Sequence, residues 1–192
     1  MSKLADEILV EMALDDIKYF AYIYERYENK LTRYILRISS FSLTEAEEVL
    51  QEAFIKVWKN LKGFDNSLKF SNWVYRIVHN TTISEWKKTL SKGKSDSREV
   101  DEELFNNLPS MLDLEMKEQV EQKLGEKNIR TVLDAMPSKY REVLVLKFLE
   151  EKNYNEISDI LRKPGGTVAT LINRAKKAFR EIAETKNISF EM

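Results

Sequence analysis

The strongest constraint on the fold is a series of apolar residues between Ala46 and Leu61 that recurs at helical spacing. At about 3.6 residues per turn, such spacing places the side chains on one stripe of a helix, which predicts a core-facing surface. Thr44 and Glu47 have the spacing of a capping box, so we expect this helix to begin at Thr44. The stripe consists of Ala46, Val49, Leu50, Ala53, Phe54, Val57, Trp58 and Leu61.

The composition excludes most β architectures. The chain has five glycines and three prolines in 192 residues, and it has few alternating β-branched runs from which hairpins could form. Apolar residues make up 43% of the sequence, which is enough for packed cores. A second stripe from Ile17 to Ile38 predicts another core helix. We therefore expect an all-α fold of two small helical domains joined by a flexible linker.

The residue types needed for most catalytic and metal sites are missing. The sequence contains no cysteine, and His79 is its single histidine. Nitrogen and sulfur metal sites and histidine-centred triads are therefore not expected, and the sequence has no Gly-rich loop for phosphate binding. We predict a protein without enzymatic activity, cofactor or metal, in which His79 is structural. The sequence shows neither a leader peptide nor a long apolar run, which predicts a cytoplasmic protein without membrane insertion.

The helix that is predicted to begin at Thr44 has an acidic and amide-rich face opposite its apolar stripe. Charged helix faces are usually just solvated, which is the simpler interpretation. Ile55, an aliphatic residue outside the stripe, favours a contact with a partner instead. The candidate docking residues are Glu48, Gln51, Glu52 and Ile55.

After Gly63 the sequence interleaves aromatic and basic residues. Seven basic and two acidic residues between Lys62 and Lys94 give a local charge of +5. Aromatic rings stack on unpaired bases and cations neutralise phosphates, so this mixture favours single-stranded nucleic acid. Trp73 and Ile77 fit the core-facing side of an amphipathic helix better than a binding surface. The candidate binding residues are Phe64, Asn66, Lys69, Phe70, Asn72, Tyr75, Arg76, Asn80, Lys87 and Lys88, of which Phe64, Phe70 and Tyr75 are the stacking candidates.

Helical periodicity is lost between residues 92 and 112, where Lys, Ser and Gly are followed by acidic residues and Pro109. This composition is typical of a linker. We therefore predict one domain at residues 1–91 and a second at 113–192, with a helix at about 113–124 opening the second domain. Ser138 is expected to cap a nearly continuously apolar, buried helix that includes Phe148.

The second domain ends in a pattern typical of a helix-turn-helix. Asn153 and Glu156 have capping-box spacing, Pro164 and Gly165 follow in a turn, and Thr167 is expected to cap the last helix. Such a second helix lies in the major groove of duplex DNA. From Arg162 to Arg180 the chain carries six cations and no acidic residue. The candidate DNA-binding residues are Arg162, Lys163, Thr167, Thr170, Asn173, Arg174, Lys176 and Lys177.

These motifs resemble a bacterial RNA polymerase sigma factor of the extracytoplasmic-function (ECF) group. The segments at 47–54 and 70–80 are similar to sigma region two, and those at 133–150, 154–157 and 166–168 to region four. The resemblance implies that Glu48, Gln51 and Glu52 dock on the β′ clamp helices of core RNA polymerase. It also implies that residues 63–88 melt and hold the promoter −10 element. Region four would contact the −35 element and the β flap. An anti-sigma factor or a recruiting protein is a further partner to consider.

One departure from the family pattern lies at the start of the recognition helix. The family usually has a lysine directly after Gly-Thr-Val and an arginine two residues later, whereas this chain has Ala169, Thr170 and Leu171. Because base contacts specify while phosphate contacts position, we expect weak −35 selectivity. Two alternatives remain open: a sigma-like protein recruited to DNA by another factor, and a polymerase-independent regulator whose N-terminal domain dimerises.

Overall fold

The computed structural model describes residues 4–91, 125 and 127–188. Every regular element in these residues is helical, which confirms the all-α prediction. The N-terminal module, residues 4–91, contains α1 (Asp6–Asp15), α2 (Lys18–Ile38), α3 (Leu43–Asn60), a 3₁₀ turn (Leu61–Gly63) and α4 (Phe70–Ser91). The predicted linker at 92–112 and the predicted helix at 113–124 lie outside the described residues, so the domain boundaries stay predictions.

The apolar stripe of α3 forms the centre of the N-terminal module, as predicted. Its members from Ala46 to Val57 are buried against α2 and α4, whereas Trp58 is 36% exposed and packs on Phe20 with ring centroids 5.1 Å apart. The prediction of a start at Thr44 was wrong, because Ser42 is the capping residue. The Ser42 backbone N–H donates to Glu45 Oε2 at 2.8 Å, and the Glu45 backbone N–H donates to Ser42 Oγ at 3.4 Å. This earlier start places Leu43 against the core.

The C-terminal module, residues 127–188, packs around α6. Its elements are α5, whose described helical part covers residues 127–134, then α6 (Ser138–Leu144) with a π-helical end (Val145–Leu149), α7 (Tyr154–Leu161) and α8 (Gly165–Thr185). Val143, Leu146, Ile157 and Ile172 are fully buried at its centre. Phe148 is 52% exposed, so the expectation that it is buried was wrong.

Two predicted helix caps in this module were also wrong, because a proline precedes each helix. Pro137 and Pro164 occupy the N-cap positions of α6 and α8, with ψ angles of 135° and 144°. Ser138 is therefore already helical, and Thr167 lies inside the first turn of α8. The capping box of α7 is confirmed, since the Glu156 N–H donates to Asn153 Oδ1 at 3.0 Å and the Asn153 N–H donates to Glu156 Oε2 at 2.9 Å.

Helices α7 and α8 form the predicted helix-turn-helix. Arg162 ends α7 in the left-handed conformation, with φ of 51°, and thereby turns the chain towards Pro164. The Ser158 hydroxyl donates to the Lys163 carbonyl at 2.5 Å, which ties α7 to the turn.

The two modules pack directly against each other. Helix α7 lies against α4, and α6 with its π-helical end contacts α2. Buried apolar residues of both modules belong to one continuous cluster that includes Tyr34, Tyr75, Leu144 and Ile157. This arrangement determines which candidate residues reach solvent.

Candidate polymerase and DNA surfaces

The candidate docking face lies on the solvent side of α3. Glu48, Gln51 and Ile55 are exposed, with Ile55 at 54%, as expected for a residue outside the apolar stripe. Glu52 is partly buried, and one of its carboxylate oxygens lies 2.6 Å from Lys56 Nζ one turn along the helix. The face therefore combines carboxylates and an amide with one aliphatic side chain, which suits a partner with basic and apolar groups.

The candidates for single-stranded nucleic acid divide by exposure. Five of them are exposed: Asn66, Lys69, Asn80, Lys87 and Lys88. Phe64 and Arg76 are partly buried, while Phe70, Asn72 and Tyr75 are buried. The exposed members supply amides and cations, whereas two of the three stacking candidates are closed to solvent in this arrangement.

A cluster of aromatic rings holds the start of α4. Phe70 is fully buried, with its ring centroid 5.2 Å from that of Phe64, 5.6 Å from Trp73 and 6.1 Å from Tyr27. Trp73 packs against the core, as the sequence suggested. Phe64 lies at the edge of the cluster and is the ring best placed to meet a base without disruption of the core.

Tyr75 is buried by a side chain from the other module. Its hydroxyl donates to Glu150 Oε2 at 2.5 Å, and Arg37 Nη1 donates to Glu150 Oε1 at 3.0 Å. Lys152 Nζ lies 4.6 Å from the Tyr75 ring centroid. Burial, followed by the nearby Glu150 carboxylate, raises the pKa of Tyr75 far above its ordinary value, so the hydroxyl remains a donor.

Two further ion pairs join the modules along α4 and α7. Arg76 Nη1 lies 2.9 Å from Asp159 Oδ1, and Lys69 Nζ lies 2.8 Å from Glu156 Oε1. We call Glu142, Glu150, Glu156 and Asp159 together the acidic face of the C-terminal module. Sequence reasoning missed this surface, because its members are dispersed over α6, the residue that follows its π-helical end, and α7, and their partners lie across the linker.

His79 is structural, in agreement with the sequence analysis. The Tyr34 hydroxyl and His79 Nδ1 are 2.9 Å apart, and His79 Nε2 lies 3.6 Å from Glu142 Oε2. Burial lowers the pKa of His79 to about 4 and raises the pKa of Glu142 to about 7. The Lys163 ammonium contributes to the lowered pKa of His79 and opposes the raised pKa of Glu142. Among the described residues, no group of three or more His, Asp or Glu side chains could hold a metal ion.

The duplex-DNA candidates form an exposed surface on the helix-turn-helix. All eight are exposed: Arg162, Lys163, Thr167, Thr170, Asn173, Arg174, Lys176 and Lys177. The Thr170 hydroxyl donates to the Gly166 carbonyl at 2.9 Å, while Leu171 packs against the core. The exposed surface is therefore rich in cations, but its first turn offers few long polar side chains to base edges.

None of the helices in the described segments is both long and apolar enough to cross a membrane.

Comparisons with known proteins match both modules. Residues 23–91 match the family model for sigma-70 region 2, and residues 126–179 match that for sigma-70 region 4. The ECF RNA polymerase sigma factor SigW of Bacillus subtilis (strain 168) is 32% identical over 173 residues, which cover 84% of this chain and 87% of SigW.

Solved structures share the fold. The structure of CnrH in complex with the cytosolic domain of CnrY aligns with a TM-score of 0.69 at 19% identity, over 95% of this chain and 99% of CnrH. The sigma factor RpoE in complex with the anti-sigma factor NepR, from Bartonella quintana, aligns with a TM-score of 0.65 at 17% identity, over 87% and 98%. With its two matched regions and its similarity to SigW along most of both sequences, the chain belongs to the ECF group of RNA polymerase sigma factors, non-enzymatic polymerase subunits that direct transcription initiation.

Proposed function

We propose that this sigma factor, acting in the cytoplasm, docks on the β′ clamp helices of core RNA polymerase through the face of α3. The supporting observation is that Glu48, Gln51 and Ile55 are exposed while the opposite stripe of the same helix is buried. A half-exposed isoleucine flanked by acidic groups is unfavourable in water and gains from a partner that covers it.

The N-terminal module is proposed to hold melted −10 DNA along α4 and the loop before it. Lys69, Lys87 and Lys88 supply cations for phosphates, and Phe64 supplies a ring at the edge of the aromatic cluster. Tyr75 and Arg76 join this surface once the C-terminal module moves away from them. These side chains together bind a single strand by charge and stacking.

The C-terminal module is proposed to contact the −35 region and the β flap, with recognition helix α8 in the major groove. Its exposed cations, such as Arg174 and Lys177, favour phosphate contacts. The Thr170 hydroxyl is bonded within the helix and Leu171 faces the core, which supports weak −35 base readout. The same observation favours, as a second candidate, a sigma factor recruited to its promoters by another DNA-binding protein. The two family matches argue against a polymerase-independent regulator.

A regulatory partner is also proposed. The aligned Bartonella quintana RpoE was solved with the anti-sigma factor NepR, and it has the same fold as this chain. We infer that an anti-sigma factor binds this chain in a comparable way and competes with polymerase for it.

The docking proposal is tested by charge reversal. Glu52→Lys places a cation on the α3 face and should abolish binding to core polymerase, because the interface then carries the wrong charge. The lost Glu52–Lys56 pair is a surface pair worth about 0–1 kcal/mol, so helicity should be unchanged.

The matched control is Glu25→Lys, the same change at an exposed position of α2. It should leave polymerase binding intact in a pull-down with purified core enzyme. Wild-type affinity in Glu52→Lys would refute the docking surface.

A further inference from the structure

The loop that leads into α4 has little support of its own. We call residues 64–69 the −10 loop, because Asn66 and Lys69 of the proposed −10 surface lie in it. The side chains from Asp65 to Lys69 are all exposed, so burial in a core does not fix them. The Leu68 backbone N–H donates to the Asp65 carbonyl at 2.9 Å, which closes a local turn. This turn shapes the loop but does not fix its position relative to the helices.

Two carboxylates of α1 hold the −10 loop from outside. Glu11 Oε1 accepts from Asn66 Nδ2 at 3.0 Å, and Glu7 Oε1 accepts from the Phe70 backbone N–H at 3.3 Å. Phe70 is the first residue of α4, so its N–H has no partner within that helix. Glu7 therefore caps α4 from another helix, with its negative charge at the positive end of the α4 dipole.

Helix α1 is itself anchored, which makes it a suitable support. Its core-facing side buries three apolar residues: Leu9, Val10 and Ala13. Asp6 binds two residues of α2, because Arg26 Nη1 lies 2.6 Å from Asp6 Oδ1 and the Tyr27 hydroxyl donates to Asp6 Oδ2. Glu7 and Glu11 are one helical turn apart and are therefore neighbours on this anchored helix.

The bond to Glu11 orients the Asn66 amide and leaves most of its bonding capacity free for a ligand. An amide has two N–H donors and a carbonyl oxygen that accepts, and Glu11 takes one donor. The other donor and the oxygen suit the hydrogen-bonding edge of a base that has left the stack. Because a group ordered in advance loses less entropy on binding, a held amide selects a base more sharply than a mobile one.

We propose that α1 is a positioning element for −10 recognition, in which Glu11 orients the Asn66 amide and Glu7 fixes the start of α4, so that the −10 loop selects a base. This inference rests on the proposed function of the N-terminal module. Both glutamates act through other residues, and their negative charges by themselves repel DNA phosphates. Their removal should therefore strengthen the general attraction to DNA and lower the sequence selectivity.

The test uses the full-length chain with core RNA polymerase on a barcoded promoter library randomised across the −10 element. Sequencing of the barcoded runoff transcripts measures the preference for each base. Glu11→Ala should lower the preference at one −10 position about tenfold, as expected for the loss of a base contact. Glu11→Gln removes the same charge but keeps an oxygen that accepts from Asn66, so it should retain the wild-type preference.

Control variants separate positioning from charge and from folding. Asp15→Ala removes a carboxylate from an exposed position of the same helix and should leave the base preference unchanged. Asn66→Ala should lower the preference at the same position, and Glu11→Ala added to it should have no further effect. Glu7→Ala should lower both the preference and the thermal stability. Glu7→Gln, which keeps an acceptor for the Phe70 N–H, should restore the preference.

Because the Glu11 side chain is exposed, Glu11→Ala should have the circular dichroism spectrum and thermal stability of wild type. The inference is overturned if this variant keeps the wild-type base preference, or if Glu11→Gln loses as much preference as Glu11→Ala. A further loss caused by Glu11→Ala in the Asn66→Ala background overturns it as well. Failure of the proposed function gives a different result, because the wild-type holoenzyme would then show no preference anywhere in the −10 element.

Discussion

The buried pair of Glu142 and His79 predicts a distinctive dependence of stability on pH. Burial raises the pKa of Glu142 to about 7 from an ordinary 4.5, against the opposing influence of Lys163, Lys87 and Arg141. Burial, together with the smaller effect of the Lys163 ammonium, lowers the pKa of His79 to about 4 from 6.5. The substitution Glu142→Gln tests this prediction, because it removes the titrating carboxyl of Glu142 and leaves the imidazole of His79 to titrate.

The two groups act with opposite signs. Between pH 4.5 and 7 the folded chain keeps a proton on Glu142 that the unfolded chain has released, so this group makes the free energy of unfolding fall as pH rises. Between pH 4 and 6.5 the unfolded chain binds a proton on His79 that the folded chain does not, so this group makes the free energy of unfolding rise. At about 1.4 kcal/mol per pH unit, each contribution is about 3 kcal/mol in full.

In the wild-type chain these contributions nearly cancel from pH 4.5 to 6.5. In Glu142→Gln only the His79 contribution remains. The free energy of unfolding should therefore rise, relative to wild type, by about 3 kcal/mol as the pH increases from 4.5 to 6.5. Urea unfolding followed by circular dichroism at several pH values measures the difference. The double variant with His79→Gln should lose this slope. A Glu142→Gln profile parallel to wild type would refute the argument.

Four further substitutions test the aromatic cluster and the recognition helix. Phe70→Ala removes a fully buried ring and should lower the free energy of unfolding by about 3–5 kcal/mol in chemical denaturation, whereas Phe64→Ala should cost less stability and lose about 1–3 kcal/mol of single-stranded DNA affinity. A Phe70→Ala chain as stable as wild type would contradict the packing. Arg174→Ala should weaken duplex binding similarly for all −35 sequences. In a filter-binding titration, the dependence of affinity on salt concentration should fall by the amount expected for the loss of about one phosphate contact. Ala169→Lys should strengthen binding, and unchanged affinity there would show that this position does not approach DNA.

The helices and the helix-turn-helix could be predicted because their signals are local. The α3 stripe and the Asn153–Glu156 capping box depend on residues within a few turns, and both were confirmed. The start of α3 was misplaced because Ser42 with Glu45 and Thr44 with Glu47 have the same spacing. The structure forms the Ser42–Glu45 cap with Leu43 packed against the core, and such packing is not visible in a local pattern.

Contacts between the modules could not be predicted. Tyr75 and Glu150 are separated by the whole linker, and nothing in either neighbourhood identifies the other. The exposure of Phe148 was missed for a similar reason. The π-helical end at Val145–Leu149 winds with more residues per turn than an α-helix, so simple periodicity misassigns its faces. Exposed Phe148 has Lys176 Nζ 5.3 Å from its ring centroid.

Helix α4 is proposed to be the principal reader of promoter sequence, and α8 is proposed to make a mainly electrostatic contact with DNA. Runoff transcription with core RNA polymerase, over promoter libraries scrambled separately at the −10 and −35 elements, tests this division most directly. We expect a sharp −10 preference and broad tolerance at −35, because Ala169 and Leu171 cannot make the bidentate contacts that discriminate bases by about 1–3 kcal/mol. A −35 consensus with penalties as large as those at −10 would contradict the account.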